Sequence, residues 1–150
     1  MHKELKRIYN GLLDCHIANL YSFYFKLYKY EQFFQKKENC DISFAVDNTI
    51  DIVNEAIHKG EKVYKGIGKM PELSMRFLTD RATINQQFDP FYLHEQVVES
   101  LIDDQISIEK TLALTIHYSD TLLLNEDVND LSKSKETIHL AFESLKTLIQ

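Results

Sequence analysis

The chain has 150 residues, a length that suits one domain with a sizeable core and leaves little room for two. Apolar residues make up 44% of it and charged residues 27%, with 4 Gly and 2 Pro, which excludes a disordered chain and disfavours sheets joined by tight turns. A formal net charge of −6 excludes a protein that coats nucleic acid with its whole surface, because phosphate binding draws on accumulated Lys and Arg.

The pattern predicts a first long helix from Leu5 to about Gln35, interrupted only by Gly11, with Leu13, Ile17, Leu20, Tyr24 and Leu27 at helical spacing. The polar patch Gln35-Lys36-Lys37-Glu38-Asn39 breaks it. A second stripe follows through Ile42, Val46, Ile50, Val53, Ile57 and Tyr64, until Gly66, Gly68 and Pro71 end it. Residues Pro71 to Leu78 suit a short helix within a long connection.

Pro90 fits the first turn of the next helix with Asp89 as its N-cap. That helix is predicted to run to Tyr118, with Val97, Leu101, Ile108, Leu112 and Thr115 buried and Glu95, Glu99, Asp103 and Asp104 alongside. Leu124 to Asp127 reads as a loop, and a last helix is predicted from Val128 with Ile138, Phe142, Leu145 and Leu148 facing inward. The expected fold is therefore all-α: one domain, residues 1–150, a four-helix bundle of the ferritin-like kind with a short helix in its one long crossover.

Cys15 and Cys40 have no CxxC or Cys/His spacing around them and read as reduced thiols of a reducing compartment. The start, Met1-His2-Lys3-Glu4-Leu5-Lys6-Arg7, lacks a signal-peptide core, and no apolar run approaches the ~20 residues that span a bilayer. A cytoplasmic protein without a membrane partner is expected. No phosphate-binding loop, nucleophile elbow or zinc-finger spacing occurs.

Three short segments carry a resemblance. Lys26, Leu27 and Tyr30 match a K-L-x-x-Y-H-W run, with Glu31 and Gln32 where His and Trp stand in that pattern. Ile67-Gly68-Lys69-Met70-Pro71 is similar to L-G-x-x-P, and Ala82-Thr83-Ile84 to A-S-I. In order and spacing the chain resembles the Dps family of ferritin-like mini-cages. That resemblance implies a homo-oligomer, a dodecamer built from two-fold dimers, with a role in stress protection or iron homeostasis.

In that family the iron-oxidising site takes two His from one subunit and an Asp and a Glu from its two-fold partner. Laid on the pattern without gaps, this chain places Glu31 and Ser43 at the His positions and His58 and Lys62 at the carboxylate positions. An ammonium group has no lone pair for iron at neutral pH, so the site reads as degenerate, with a cross-subunit bridge from Glu31 to Lys62, joined by His58, in the metal's place. The alternative is a sparse iron site at Glu31 and His58 with Lys62 turned away.

A second metal signal is the pair of E-x-x-H motifs, Glu55 to His58 and Glu136 to His139, each putting carboxylate and imidazole on one helix face. A di-iron centre inside the bundle would need further carboxylates; Glu99 or Asp103 could serve from the third long helix, but the first offers only Tyr21, Ser22 and Phe23 opposite Glu55. Chance occurrence at core-flanking positions explains the motifs better than a metal site does. Through this site an active mini-ferritin would oxidise ferrous iron and store the mineral.

Glu126, Asp127 and Asp130 resemble the carboxylates that line the three-fold pores of such cages, or a solvated helix start stabilised by acids. The resemblance also implies DNA binding through a Lys-rich terminal extension, for which this chain offers only Lys3, Lys6 and Arg7 within a few residues. The aromatic girdle of Tyr21, Phe23, Tyr24, Phe25, Tyr28, Tyr30, Phe33 and Phe34 reads as a subunit interface more readily than as a base-stacking platform. An interaction role, on DNA or in a mixed cage with an iron-oxidising relative, completes the alternatives.

Overall fold

Thirty-four residues without a proline, His2–Gln35, wind into α1, whose positions 9, 13, 16, 20, 23, 27 and 30 return to one face every three or four residues and are buried. Three more long helices surround that face in the computed structural model: α2 (Cys40–Gly66), α4 (His94–Thr121) and α5 (Asn125–Thr147), with the short α3 (Met75–Arg81) between α2 and α4. The structure describes residues 2–35, 40–70, 74–84 and 94–147, without the side chains of 33–35, 40–42, 94 and 95. Expectations resting on Pro71, Glu72, Leu73, Asp89, Pro90 and Leu148, and on the side chains of Phe33, Phe34, Cys40, Ile42 and Glu95, lie outside the described residues. Among the described residues there is no strand.

Each long helix packs against two others: α1 and α5 both lie against α2 and α4 and stand on one diagonal. The cross-links show the directions. Asp14 meets Tyr64 and Tyr21 meets Glu61, so α1 and α2 are antiparallel. Cys15 lies by Thr111 and Lys26 by Asp104, so α1 and α4 are antiparallel too. It follows that α2 and α4 are parallel, and a chain that joins parallel helices has to travel the length of the bundle between them. The connection from Ile67 to Leu93 does this.

The described part of the crossover is fastened to α1 at two points. At the α2 terminus Lys69 N–H bonds Tyr64 C=O (3.1 Å) and Gly68 N–H bonds Lys65 C=O (3.0 Å), with Gly68 at φ 79°. Glycine takes this left-handed C-cap without a Cβ clash. The turn delivers Lys69, whose Nζ lies 3.1 Å from Asp14 Oδ1. Beyond α3, buried Asn19 accepts the Thr83 N–H at 2.7 Å and donates to Thr83 Oγ1 at 3.1 Å.

Several expected boundaries shift, the start of α1 among them, which lies at His2 and not Leu5. α3 starts at Met75 and runs to Arg81 instead of occupying 71–78, because Ser74 Oγ accepts the Phe77 N–H at 3.1 Å and caps the helix there. α5 starts at Asn125, so Glu126 and Asp127 are its first turn and not a loop. Acids in a first turn suit the positive end of the helix dipole. The α4–α5 connection is correspondingly tight, closing with Leu124 N–H on Ser119 C=O (2.9 Å) and Leu123 at φ 60°. α4 in turn extends beyond Tyr118 to Thr121.

The predicted inward residues Val97, Leu101, Ile108, Leu112, Thr115, Ile138, Phe142 and Leu145 are all buried. Asp104 departs from the acidic row predicted to run alongside them. It is buried, and its Oδ2 lies 2.6 Å from Lys26 Nζ, which also donates to Ser100 Oγ at 2.8 Å. Burial pushes the Asp104 carboxyl above its ordinary range, and the Lys26 ammonium draws it partly back.

Removing one member of this pair strands the other in the interior. Lys26→Met is expected to cost about 3–5 kcal/mol in urea unfolding, and the double change Lys26→Met with Asp104→Leu to recover most of it. A single variant as stable as the double one would contradict the pairing.

Candidate functional site

The residues predicted to form the site lie on two antiparallel helices. Glu31, near the end of α1, faces the early turns of α2, where Asp47 and Asp51 are exposed one turn apart. Glu31 shares a hydrogen bond with Asp47. Burial first, then that bond and the charges of Asp47 and Asp51, push the Glu31 carboxyl above its ordinary range. Asp47 and Asp51 were not singled out by the motif comparison. Their four-residue spacing on the helix that returns past Glu31 is the signal that finds them.

Ser43 is half-buried one turn before Asp47, whereas His58 is exposed two turns beyond Asp51. Lys62 is exposed as well, and its Nζ lies 3.2 Å from Asp130 Oδ2 of its own chain. Glu31 and Lys62 are therefore separated along α2 within one chain, and the Lys62 ammonium has a partner there without crossing to another subunit. Among the described residues no three His, Cys, Asp or Glu side chains converge closely enough to hold a metal ion.

The two E-x-x-H motifs face outward. Glu55 Oε1 lies 3.5 Å from Lys59 Nζ and His58 is exposed, while neighbouring Ala56 and Ile57 occupy the core. On α5, His139 Nδ1 lies 3.0 Å from Glu109 Oε1, with Ile138 buried beside it and Glu136 exposed. Glu99 and Asp103 are exposed on α4. These groups do not meet inside the bundle, because Glu55, His58, Glu99, Asp103, Glu136 and His139 are all exposed.

The acidic start of α5 is tied to the rest of the chain. Tyr9, 1% exposed, donates its hydroxyl to Asp127 Oδ2 at 2.9 Å, and Asp130 holds Lys62. Burial pushes the Asp127 carboxyl up; Asp130 and Glu126 add to this, and Tyr9 and Lys62 oppose it. Glu126 is exposed. Lys3, Lys6 and Arg7 are exposed on the first turns of α1, where Arg7 pairs with Glu4 at 3.1 Å.

The aromatic girdle divides. Phe23 and Tyr30 are core, Tyr21 and Tyr24 are half-buried, and Phe25 and Tyr28 are 50% and 51% exposed. Phe25 and Tyr28 line a cleft of about 360 Å³ against Leu78 and the exposed Met75 of α3. Cys15 is a free thiol. No helix of the described residues is long and apolar enough to cross a membrane.

Neither a family model nor a curated protein matches the sequence. Solved structures do match the fold. Over 98% of this chain and 93% of the other, the backbone superposes on Dps from Thermosynechococcus elongatus with a TM-score of 0.89 at 14% identity. An archaeal Dps homologue from Halobacterium salinarum matches at TM-score 0.87 and 13% identity, covering 98% of this chain and 82% of that one. Dps from Listeria monocytogenes matches at 0.84 and 16%, covering 94% and 92%. The chain is thus an all-α, ferritin-like four-helix bundle of the form that Dps structures take.

A carboxyl whose proton affinity rises on folding favours the folded state most at low pH, and that advantage is lost as pH rises through its folded value. At neutral pH the Glu31 carboxylate beside Asp47 and Asp51 therefore opposes folding of the isolated chain. Glu31→Gln is expected to raise the urea midpoint at pH 7 and to have little effect at pH 3.5. An equal effect at both pH values would show that the carboxylates do not interact.

Proposed function

We propose that the chain is a single-domain, cage-forming protein of the Dps type. It assembles in the cytoplasm into a closed homo-oligomer, a dodecamer built from two-fold dimers, and serves stress protection or iron homeostasis. The usual iron-oxidising site between subunits is replaced by ion pairs. The observation that carries this is the lysine at position 62 in a chain that superposes over 98% of its length on a Dps structure. Where the family pattern has a carboxylate, Lys62 offers an ammonium group, which cannot ligate iron at neutral pH.

The exposed apolar strip of Phe25, Tyr28 and Met75 supports a two-fold contact, since aromatic side chains and Met are enriched in the buried parts of interfaces. In that dimer Lys62 is shared between Asp130 of its own chain and Glu31 of the partner subunit, with His58 beside it. Asp47 and Asp51 lie close enough to Glu31 to push its carboxyl up, so a cation arriving from a second subunit would ease the repulsion among these carboxylates.

The same carboxylates favour a second reading. Glu31, Asp47 and Asp51, completed by His58 of the partner subunit, make an oxygen-rich donor set suited to ferrous iron as substrate. The chain would then be an active mini-ferritin with an unconventional site.

Aerobic loading with ferrous salt separates the two. Under the ion-pair reading, iron oxidises no faster than in protein-free buffer, and Lys62→Glu weakens the two-fold dimer while Asp130→Asn leaves it intact. Fast oxidation with retained mineral, lost in Glu31→Gln or His58→Ala, would establish the second reading and overturn the first.

A further inference from the structure

His16 is 0% exposed, and neither of its ring nitrogens has a hydrogen-bond partner among the described residues. It lies on the α1 face that also carries Tyr9, Leu13 and Leu20, all buried. A methyl group placed on Gly60 of α2 would stand 3.9 Å from ring atom Cδ2 and 4.0 Å from Nε2, so the imidazole packs directly beside the α2 backbone. A neutral imidazole loses one donor and one acceptor by being buried in this way. An imidazolium ring would bury a full charge, at far greater cost unless an acid stands beside it.

Among the described residues, the acids and other titratable groups of the neighbouring turns and helices are engaged elsewhere. On α1, Asp14 is held by Tyr64 and Lys69, and Cys15 by Thr111. On α2, Glu61 accepts from Tyr21, Lys59 faces Glu55, and Lys62 faces Asp130. On α3, Arg76 faces Asp80 at the surface. On α4, Glu109 holds His139 at the surface, and Thr111 and Thr115 carry no charge. On α5, Asp127 accepts from Tyr9, and the buried Ser134 hydroxyl is neutral and, like His16, unpartnered among the described residues.

We propose that His16 is an acid-release element: uptake of a proton by this ring dismantles the four-helix bundle. The proposal stands on the single chain and does not depend on the assembly described above. Burial alone brings the His16 ring down to about 4. The unfolded ring titrates near 6.5. Between these values the unfolded chain binds a proton that the folded chain refuses, so the stability is complete above about pH 6.5 and drains away as pH falls toward 4. Asp104, Asp127 and Glu31, whose carboxyls are all pushed up on folding, contribute with the opposite sign and cannot produce this loss.

The test is urea unfolding of the full chain at pH 7.5 and pH 4.5, with His16→Gln and His16→Leu beside the wild type. From the two titration points, the wild-type unfolding constant is expected to rise by roughly 100-fold more between these pH values than that of either variant. Equal pH dependence in wild type and variants would overturn the proposal. Should both variants fail to fold, proton NMR of the wild type decides. A His16 ring that stays neutral down to pH 5 while the protein remains folded supports it, and a ring that titrates near 6.5 within the folded protein refutes it.

Discussion

The contact on which the architecture depends is the buried ammonium of Lys26 on Asp104 and Ser100. Four amphipathic helices can slide past one another in steps of a turn and still bury apolar surface, so apolar stripes alone leave the register weakly defined. A charge enclosed at one height removes that freedom. If α1 slips by one turn against α4, Lys26 loses both partners in a place where water cannot replace them. The pair thus adds less to net stability than to the choice among similar packings, and the height it sets places Cys15 by Thr111.

The same logic extends along α1. Asp14, Asn19 and Lys26 are buried polar residues on a helix whose other buried positions are mostly apolar, and each grips a different element: the α2 exit through Tyr64 and Lys69, the crossover beyond α3 through Thr83, and α4 through Asp104. Two of these anchors, Asp14 and Asn19, act on the described part of the crossover together with the buried Leu78 and Ile84. The short α3 carries one buried residue, Leu78. The polar row of α1 supplies what α3 lacks.

Periodicity made the long helices legible, because spacing at three and four residues is a property of each segment by itself. What it could not show were the pairings between segments. Asp104 sits in a row with Asp103 and Glu99 and reads as solvated, yet it alone points inward, and only the position of Lys26 some eighty residues earlier explains why. The helix starts were missed for a related reason. Ser74 and the acids at 126 and 127 are turn-forming by composition, and they act as helix starts because the chain on either side is already placed by tertiary contacts. At the candidate site, position-by-position comparison identified Glu31 and Lys62 but not their neighbours. The charge that Glu31 experiences comes from Asp47 and Asp51 on the returning helix, and the charge on Lys62 is met first by Asp130.

Two solutions to burying a titratable group therefore coexist in one core. Lys26 is enclosed with two oxygens brought to its side-chain nitrogen, whereas His16 is enclosed with no hydrogen-bond partner among the described residues and excludes the charge instead. The first arrangement resists slippage, since any displacement exposes an unmet charge. The second resists nothing by geometry. Its ring fits beside Gly60 as any flat apolar group would, and a purely structural role at that position would be filled more stably by Phe or Leu. An imidazole there leaves two hydrogen bonds unmet among the described residues and, under the proposal above, gives the fold a dependence on proton concentration that an apolar side chain would not confer.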